Sequence, residues 1–458
     1  MNTVLAHITC QLGRKPGLAI AILCLAGPVT GMCSPDDNAS KQQAVSIKSV
    51  VQMALKNSPE IKSAEQMAIS ARAETRATAS VRRFQVTASS YLSDGDSTAI
   101  LSASSMVPSA ASSLVPGGGF ADQNLTIMTP LFTGGRLEAL QRSAQKRAEA
   151  AAFDVDEVRL DVGLRVQEAC YRSLMARAES DTARSRILVD QEMLNTAEAL
   201  LESGKGLRAS VLRAEAELED ARRMLTGSIN AEARALLDVR LTAGVSADSP
   251  LTIVDSTISP GALPEVTRLV QGALSRRPDA MASEARRKAA EEQTKAVQAD
   301  RAPQIYGTAM ADVFTATQMQ RRAGYTIGIM VSLPVFDSGM RRAATDAAKA
   351  MAIKAAEEER RTRLSIETQV RQAWLDADTA LKNLQAAHRQ SIAAHAARDI
   401  TALRLQSGKA IIVEMLDANA AVAAATSLEA RSTYELRLAL AGIRRACGDE
   451  PGMEGISR

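Results

Sequence analysis

Residues 324 to 339 read Gly-Tyr-Thr-Ile-Gly-Ile-Met-Val-Ser-Leu-Pro-Val-Phe-Asp-Ser-Gly. Tyr325, Ile327, Ile329, Val331, Leu333 and Val335 fall at every second position and share one face of an extended strand. Thr326, Gly328, Met330 and Ser332 fall on the other face. About ten residues of this alternation is the length a tilted strand needs to cross a bilayer. A half-buried strand in a soluble protein alternates in the same way, so pattern alone leaves both open. The segment has a twin 204 positions earlier (334 − 130 = 204), Asn-Leu-Thr-Ile-Met-Thr-Pro-Leu-Phe-Thr-Gly-Gly-Arg at 124 to 136. Leu125, Ile127, Thr129 and Leu131 take the places of Ile329, Val331, Leu333 and Val335, while Pro130, Phe132 and Gly135 take those of Pro334, Phe336 and Gly339. Proline near a strand end and glycine at a bend suit a chain leaving a sheet.

The rest of the chain repeats around these two strands. Small and apolar residues at three- and four-residue steps predict one helix over about 46 to 83, interrupted at Asn57-Ser-Pro59, and Arg276-Arg-Pro278 interrupts its counterpart. A first strand follows in each half, at about 84–92 and 304–314. A long Ser-, Ala- and Gly-rich loop over 93 to 123 contrasts with a shorter one over 315 to 324. Proline-free stretches then predict long helices over 136–203 and 340–406, each on the order of 100 Å. They stop at Ser203-Gly-Lys-Gly206 and Ser407-Gly-Lys409, and return helices are expected over 209–239 and 411–446. Proline-to-turn spacing is 73 in both halves (203 − 130 and 407 − 334), so both turns should lie at the same height. The expected organisation is a first repeat over 32–240, a linker over 241–264, a second repeat over 265–446 and a flexible tail over 447–458.

Composition supports helices over a large globular core. The 458 residues are 46% hydrophobic but only 3% aromatic, with one tryptophan, Trp374, and small side chains let helices approach closely. Residues 1–31 read as a secretory signal: Arg14-Lys15, an apolar run from Leu18 to Ala26, then small residues at Val29 and Gly31. The formal charge is +3, and loss of Arg14 and Lys15 leaves 53 − 52 = +1, too little to argue for nucleic acid. Cys33, Cys170 and Cys447 would remain, an odd and scattered set that is no disulfide framework. Cys33, just past the signal run, is a candidate lipidation site, although Met32 before it is larger than that chemistry prefers.

Candidate chemistry is sparse. His388 and His395 stand about 10 Å apart on a helix, too far to share a metal, and no Cys-x-x-Cys occurs. No catalytic group, metal site or cofactor motif is expected. Ser203-Gly-Lys-Gly and Gly117-Gly-Gly read as turns, not phosphate loops. Glu414 and Asp417 are more suggestive, because they stand at i, i+3 on one helix face directly after the second turn. The first half has Ser210 and Arg213 at those positions.

Taken together, Pro-Leu-Phe-x-Gly-Gly at 130–135, Pro-Val-Phe-Asp-x-Gly at 334–339, the turns Glu202-Ser-Gly-Lys205 and Gln406-Ser-Gly-Lys409, and Val413-Glu-Met-Leu-Asp-Ala418 resemble the TolC-like outer-membrane efflux protein family. The resemblance covers nearly the whole mature chain in two copies. Glu414 departs mildly from the aspartate usual in that segment, and Ala209-Ser-Val-Leu departs where an acid is common. The resemblance implies a mainly α fold with a small β part, as two tandem repeats of helix, strand, strand, long helix and helix. Three copies would close a 12-stranded transmembrane β-barrel continued by a periplasmic α-helical barrel, with the linker in the equatorial region. It implies no enzyme but the exit duct of a tripartite efflux or type I secretion system, partnered by a periplasmic adaptor and an inner-membrane pump of RND, ABC or MFS type. Four strands cannot close a barrel alone, which independently calls for oligomerisation. Ile327, Ile329, Val331 and Leu333 would then face outer-membrane lipid. Ser203, Gly204, Lys205, Ser407, Gly408 and Lys409 would form the tips that meet the adaptor. Glu414 and Asp417 would form an acidic ring at the pore entrance, with Arg208 or Arg213 as counter-charges. The alternative reading is a periplasmic helical adaptor or a structural coiled coil, which should carry one hairpin where this chain carries two.

Overall fold

The computed structural model describes residues 43–93, 120–254, 263–316 and 319–450. The signal region, Cys33, the Gly117–Gly119 turn and the end of the tail lie outside the described residues.

Two sets of elements follow one another in the same order. The first is β1 (Gln43–Ser46), α1 (Ile47–Asn57), α2 (Pro59–Ser80), β2 (Gln85–Ser93), β3 (Phe120–Phe132), α3 (Arg136–Glu202) and α4 (Arg208–Ala243). The second is β4 (Leu251–Val254), α5 (Val266–Arg276), α6 (Pro278–Ala299), β5 (Gln304–Ala316), β6 (Met319–Ser332), α7 (Met340–Gln406) and α8 (Ile412–Cys447). The fold is therefore mainly α with a small β part, in two tandem repeats. Corresponding helices have equal lengths: 67 residues for α3 and α7, 36 for α4 and α8, 22 for α2 and α6.

Several boundaries differ from the sequence expectation, each for a local reason. The helix expected over 46 to 83 is two helices, because Pro59 starts α2 at its first position with Ser58 as cap, where the missing N–H costs nothing. Pro278 does the same for α6. The stretch 315 to 324, expected as a loop, is largely strand: β5 runs to Ala316 and β6 begins at Met319. β6 also ends at Ser332, short of the alternation that runs to Val335, ahead of Pro334, which has no N–H to give a ladder. The linker expected from 241 begins inside α4, which stops only at left-handed Gly244, and it contains β4. β4 pairs in parallel with β1, Gln43 opposite Leu251 through Ser46 opposite Val254. The tail expected to be flexible from 447 is anchored at its start: Cys447 is the last residue of α8, and Asp449 is buried with its carboxylate 3.2 Å from Arg276.

Burial is concentrated where the short helices brace the long ones. Val50, Val51 and Ala54 of α1 pack with Val166 and Cys170 of α3 and Val239 of α4. Leu269 and Ala273 of α5 pack with Ile366 and Val370 of α7 and Ile443 and Cys447 of α8. Small residues line the helix contacts, among them Ala139, Ala144, Ala282 and Ala289. Ion pairs staple the outside, such as Arg142 to Glu292 at 2.6 Å and Arg159 to Glu65 at 2.9 Å.

Beside this core lies a buried polar knot. Arg277, 1% exposed, donates to both carboxylate oxygens of Asp279 at 3.0 and 2.7 Å, to Gln369 Oε1 at 2.8 Å and to the carbonyl of Ala446 at 3.3 Å. Arg445 alongside it holds Glu157 at 2.5 Å and Asp161 at 2.6 Å. Burial pushes the Glu157 carboxyl above its ordinary range, against the opposing pull of Arg445. Elements from both repeats meet here, so the knot fixes one repeat against the other.

Candidate functional site

Two regions can do work: the four-stranded sheet at one end of the long helices and the helical tips at the other. The sheet has the order β2-β3-β5-β6, antiparallel throughout, so β2 and β6 each have one open edge. Its register aligns the apolar sides of all four strands. Ala88, Leu125, Ala311 and Tyr325 form one row, and Val86, Ile127, Ala309 and Ile327 the next. Ile329 stands opposite Gly307 and Val331 opposite Ile305. Ile327 is 77% exposed and Ile329 70%, although both lie mid-strand. Leu333 follows directly after β6 and is also exposed.

The opposite face is more polar. Asn124 there donates from Nδ2 to Asp312 Oδ1 at 3.3 Å and accepts from the Thr126 hydroxyl at 2.5 Å. The row continues to Gly324, and the next holds Thr126, Met310 and Thr326. Ser332 ends this face opposite Gln304. Of two register shifts in the sheet, the one between Pro130 and Phe132 marks where proline interrupts the ladder, and the other lies between Phe314 and Ala316.

Each hairpin hands over to its long helix through a left-handed bend. Gly134 has φ 62° and Gly135 φ 85°, and a Cβ on Gly134 would overlap the side chain of Ala302. The second junction uses Ser338 at φ 52° and Gly339 at φ 91°. Asp337 steadies it by accepting from the N–H groups of Arg341 and Gly339, each at 3.1 Å. Those bonds, the one from Arg341 foremost, hold its carboxyl below the usual carboxylate range.

At the far end both turns stop their helices in the same way. The N–H of Gly204 bonds the carbonyl of Leu201 at 3.0 Å and that of Lys205 the carbonyl of Leu200 at 2.9 Å. Gly408 and Lys409 repeat this on Leu405 and Arg404 at 3.0 and 2.8 Å. Gly204 and Gly408 sit at φ 72° and 71°, the left-handed stop that glycine makes without a Cβ clash. Ser203 and Ser407 each turn a hydroxyl back onto the helix, and Lys205 and Lys409 are exposed. Ala197, Ala214, Ile412 and Leu416 pack the two tips together.

The acidic pair straddles this packing. Glu414, in the first turn of α8, reaches Arg404 on α7 at 3.3 Å, and Asp417 reaches Arg213 on α4 at 3.6 Å. The two carboxylates thus share a helix face but not a partner. Arg213 also lies 3.6 Å from Glu217. Arg208 begins α4 and makes no ion pair among the described residues. Arg404 escaped the sequence reading, though it stands three residues before Ser407. Its Nη2 also donates to the carbonyl of Lys409 at 3.3 Å, so one guanidinium ties the turn to the acid. His388, exposed on α7, bonds Glu429 at 2.7 Å.

The model of the outer membrane efflux protein family matches residues 50–245 and 269–449, one segment in each repeat. Protein CyaE of Bordetella pertussis is 25% identical over 234 residues, so the match spans 49% of this chain and 49% of that relative. Among solved structures, the outer-membrane channel OprN is 23% identical with a TM-score of 0.72, covering 89% of this chain and 91% of that one. The outer membrane protein VceC of Vibrio cholerae is 18% identical with a TM-score of 0.74, covering 88% and 96%. CusC, described with transmembrane channel formation, is 18% identical with a TM-score of 0.75, covering 88% and 92%. At these identities the structures share the fold. With the family model matching both repeats over most of the chain, this protein belongs to the outer membrane efflux protein family, and its place is the outer membrane, with a large helical part on the periplasmic side.

Proposed function

We propose that the chain is a passive exit duct, the outer-membrane channel of a tripartite efflux or type I secretion system, working by conduction and not by catalysis. The observation that carries this is the four-stranded sheet: one face is an exposed apolar field, and both edges are unpaired. An open edge cannot rest in lipid, because its N–H and C=O groups find no partners there. Three copies joined edge to edge supply twelve strands and remove every edge, with Ile327, Ile329, Val331 and Leu333 toward lipid. Around the same axis six helical tips converge. There Lys205 and Lys409 are placed to meet an adaptor and, beyond it, an inner-membrane pump of RND, ABC or MFS type. Glu414 and Asp417 repeat into a ring of carboxylates at the entrance, with Arg213 and Arg404 holding it closed. Such a ring favours cations. The test is isolation from outer membranes, native mass determination and planar-bilayer recording. A trimer with discrete conductance steps is expected, and a stable monomer without pores would overturn the reading.

A further inference from the structure

A groove of about 400 Å³ lies between α3 and α7, floored by α8. Asn419 on that floor stands about 10 Å along α8 from Ile412, at ~1.5 Å per residue, just beyond the acidic pair. Asn419 is 7% exposed, and its Nδ2 is buried with no hydrogen-bond partner. A buried amide donor left unpaired is unfavourable and rare in native proteins. The charged groups around the groove are already committed. Arg186 donates to Asp190 at 3.2 Å and to Glu217 at 3.0 Å, Asp181 is held by Arg184 at 2.8 Å, and Arg398 pairs with Asp399 at 2.6 Å. Thr182 and Ser185 turn their hydroxyls onto carbonyls of their own helix. What remains is an apolar surface from Val189, Val422 and Ala423, with His395 and Thr426 beside it and Asn419 as the donor buried without a partner.

We propose that this groove is a binding site for an uncharged, drug-sized amphipathic molecule that lays an apolar body on Val422 and Ala423 and presents a carbonyl oxygen to Asn419. Its volume falls in the range of small-molecule sites, which combine an apolar lining with few polar groups. The arginines and carboxylates that line the groove are already paired, and an uncharged ligand leaves each of those ion pairs in place.

The site can be probed by alkylation. Cys170 and Cys447 are buried, and burial pushes their thiols up to about 12 and about 11, so neither competes near pH 7. In a background of the full-length protein with Cys10, Cys24 and Cys33 each replaced by Ser, held in lipid nanodiscs, Ala423→Cys is treated with N-ethylmaleimide, with and without Nile red, an uncharged planar probe bearing one carbonyl. The thiol at position 423 should react, and saturating Nile red should slow it at least tenfold. Asn419→Leu and Asn419→Ala should leave the unprotected rate unchanged and raise the half-protecting concentration at least tenfold. Leu188→Cys, on an exposed part of α3, reports non-specific shielding and should stay unprotected. The proposal is overturned if position 423 does not react in the folded protein, as when a second copy of this chain fills the groove. It is equally overturned if Nile red gives no protection, protects position 188 as well, or protects the Asn419 variants undiminished.

Discussion

Replacing Ile329 by arginine puts a charge at the centre of the exposed apolar field. The field runs from Tyr325 to Leu333, eight residue steps (333 − 325 = 8), about 27 Å along the strand at ~3.4 Å per residue. At a tilt of about 45° it covers roughly 19 Å of height, and Ile329 sits at its midpoint. Neighbours offer the charge no relief, since Ile329 pairs with Gly307 and is flanked on its own face by Ile327 and Val331. Arginine at the midplane on a lipid face costs about 2–4 kcal/mol, and in a trimer the cost recurs three times, about 6–12 kcal/mol in all. Ser332→Arg places the same charge on the opposite face, where water would solvate it. The assay is insertion into vesicles followed by semi-native electrophoresis and urea titration. Ile329→Arg should insert poorly and lower the trimer fraction, and Ser332→Arg should assemble like the parent. Equal assembly of the two variants would refute the facing and, with it, the use of strand register to assign it.

Replacing Glu414 by Gln together with Asp417 by Asn should lower cation preference and weaken block by divalent cations in single-channel recordings while leaving assembly intact; unchanged selectivity and block would make the pair ordinary solvated acids. Arg277→Met removes a buried guanidinium on which Asp279, Gln369 and the Ala446 carbonyl all rely. It should cost about 3–5 kcal/mol in denaturant titration, because the half-buried Asp279 carboxylate, the Gln369 amide and the Ala446 carbonyl lose one charged donor together. Arg277→Lys should recover only part of that, lacking the two-pronged geometry. Burial raises the Asp190 carboxyl above its ordinary value despite Arg186. Its folded pKa thus exceeds the unfolded one, so its contribution to stability is full below about pH 4 and is lost as pH rises through the folded value. Asp190→Asn should flatten that limb of the urea-midpoint profile, and an unaltered slope would assign it to other groups.

What the sequence made legible was local. Period-two alternation marked β3 and β6, and the Ser-Gly-Lys triplets marked both turns, because each is set by contacts within a few residues. The repeat offset carried that reading from one half to the other. Family resemblance, not periodicity, chose between a soluble and a membrane strand. Distant pairings escaped. β1 and β4 are four residues each and lie about two hundred residues apart, so neither has a pattern of its own. Arg404 looked like one more helix cation until the turn folded it onto Glu414. Arg277 was visible only as a neighbour of Pro278, and its burial depends on α7 and α8 arriving from the end of the chain. The hairpin 304 to 332 was read too short because Gln320, Arg321 and Arg322 look like loop residues, whereas strands reaching beyond an apolar band can carry polar side chains.

The equal lengths of α3 and α7, and of α4 and α8, limit how this chain can change. A residue inserted into one long helix would rotate everything beyond it by about 100° and lift one tip by about 1.5 Å. The core beneath the tips, shared by Ile412 and Ala214, would then lose its match. Compensation would need a second insertion in the other half of the gene. Length can therefore drift freely only outside these helices, and there the halves do differ: β5 and β6 are joined across residues 317 and 318, while β2 and β3 are joined across 94 to 119. The helices behave as a gauge copied twice and kept equal, and the strand connections are where lineages of such a chain can diverge.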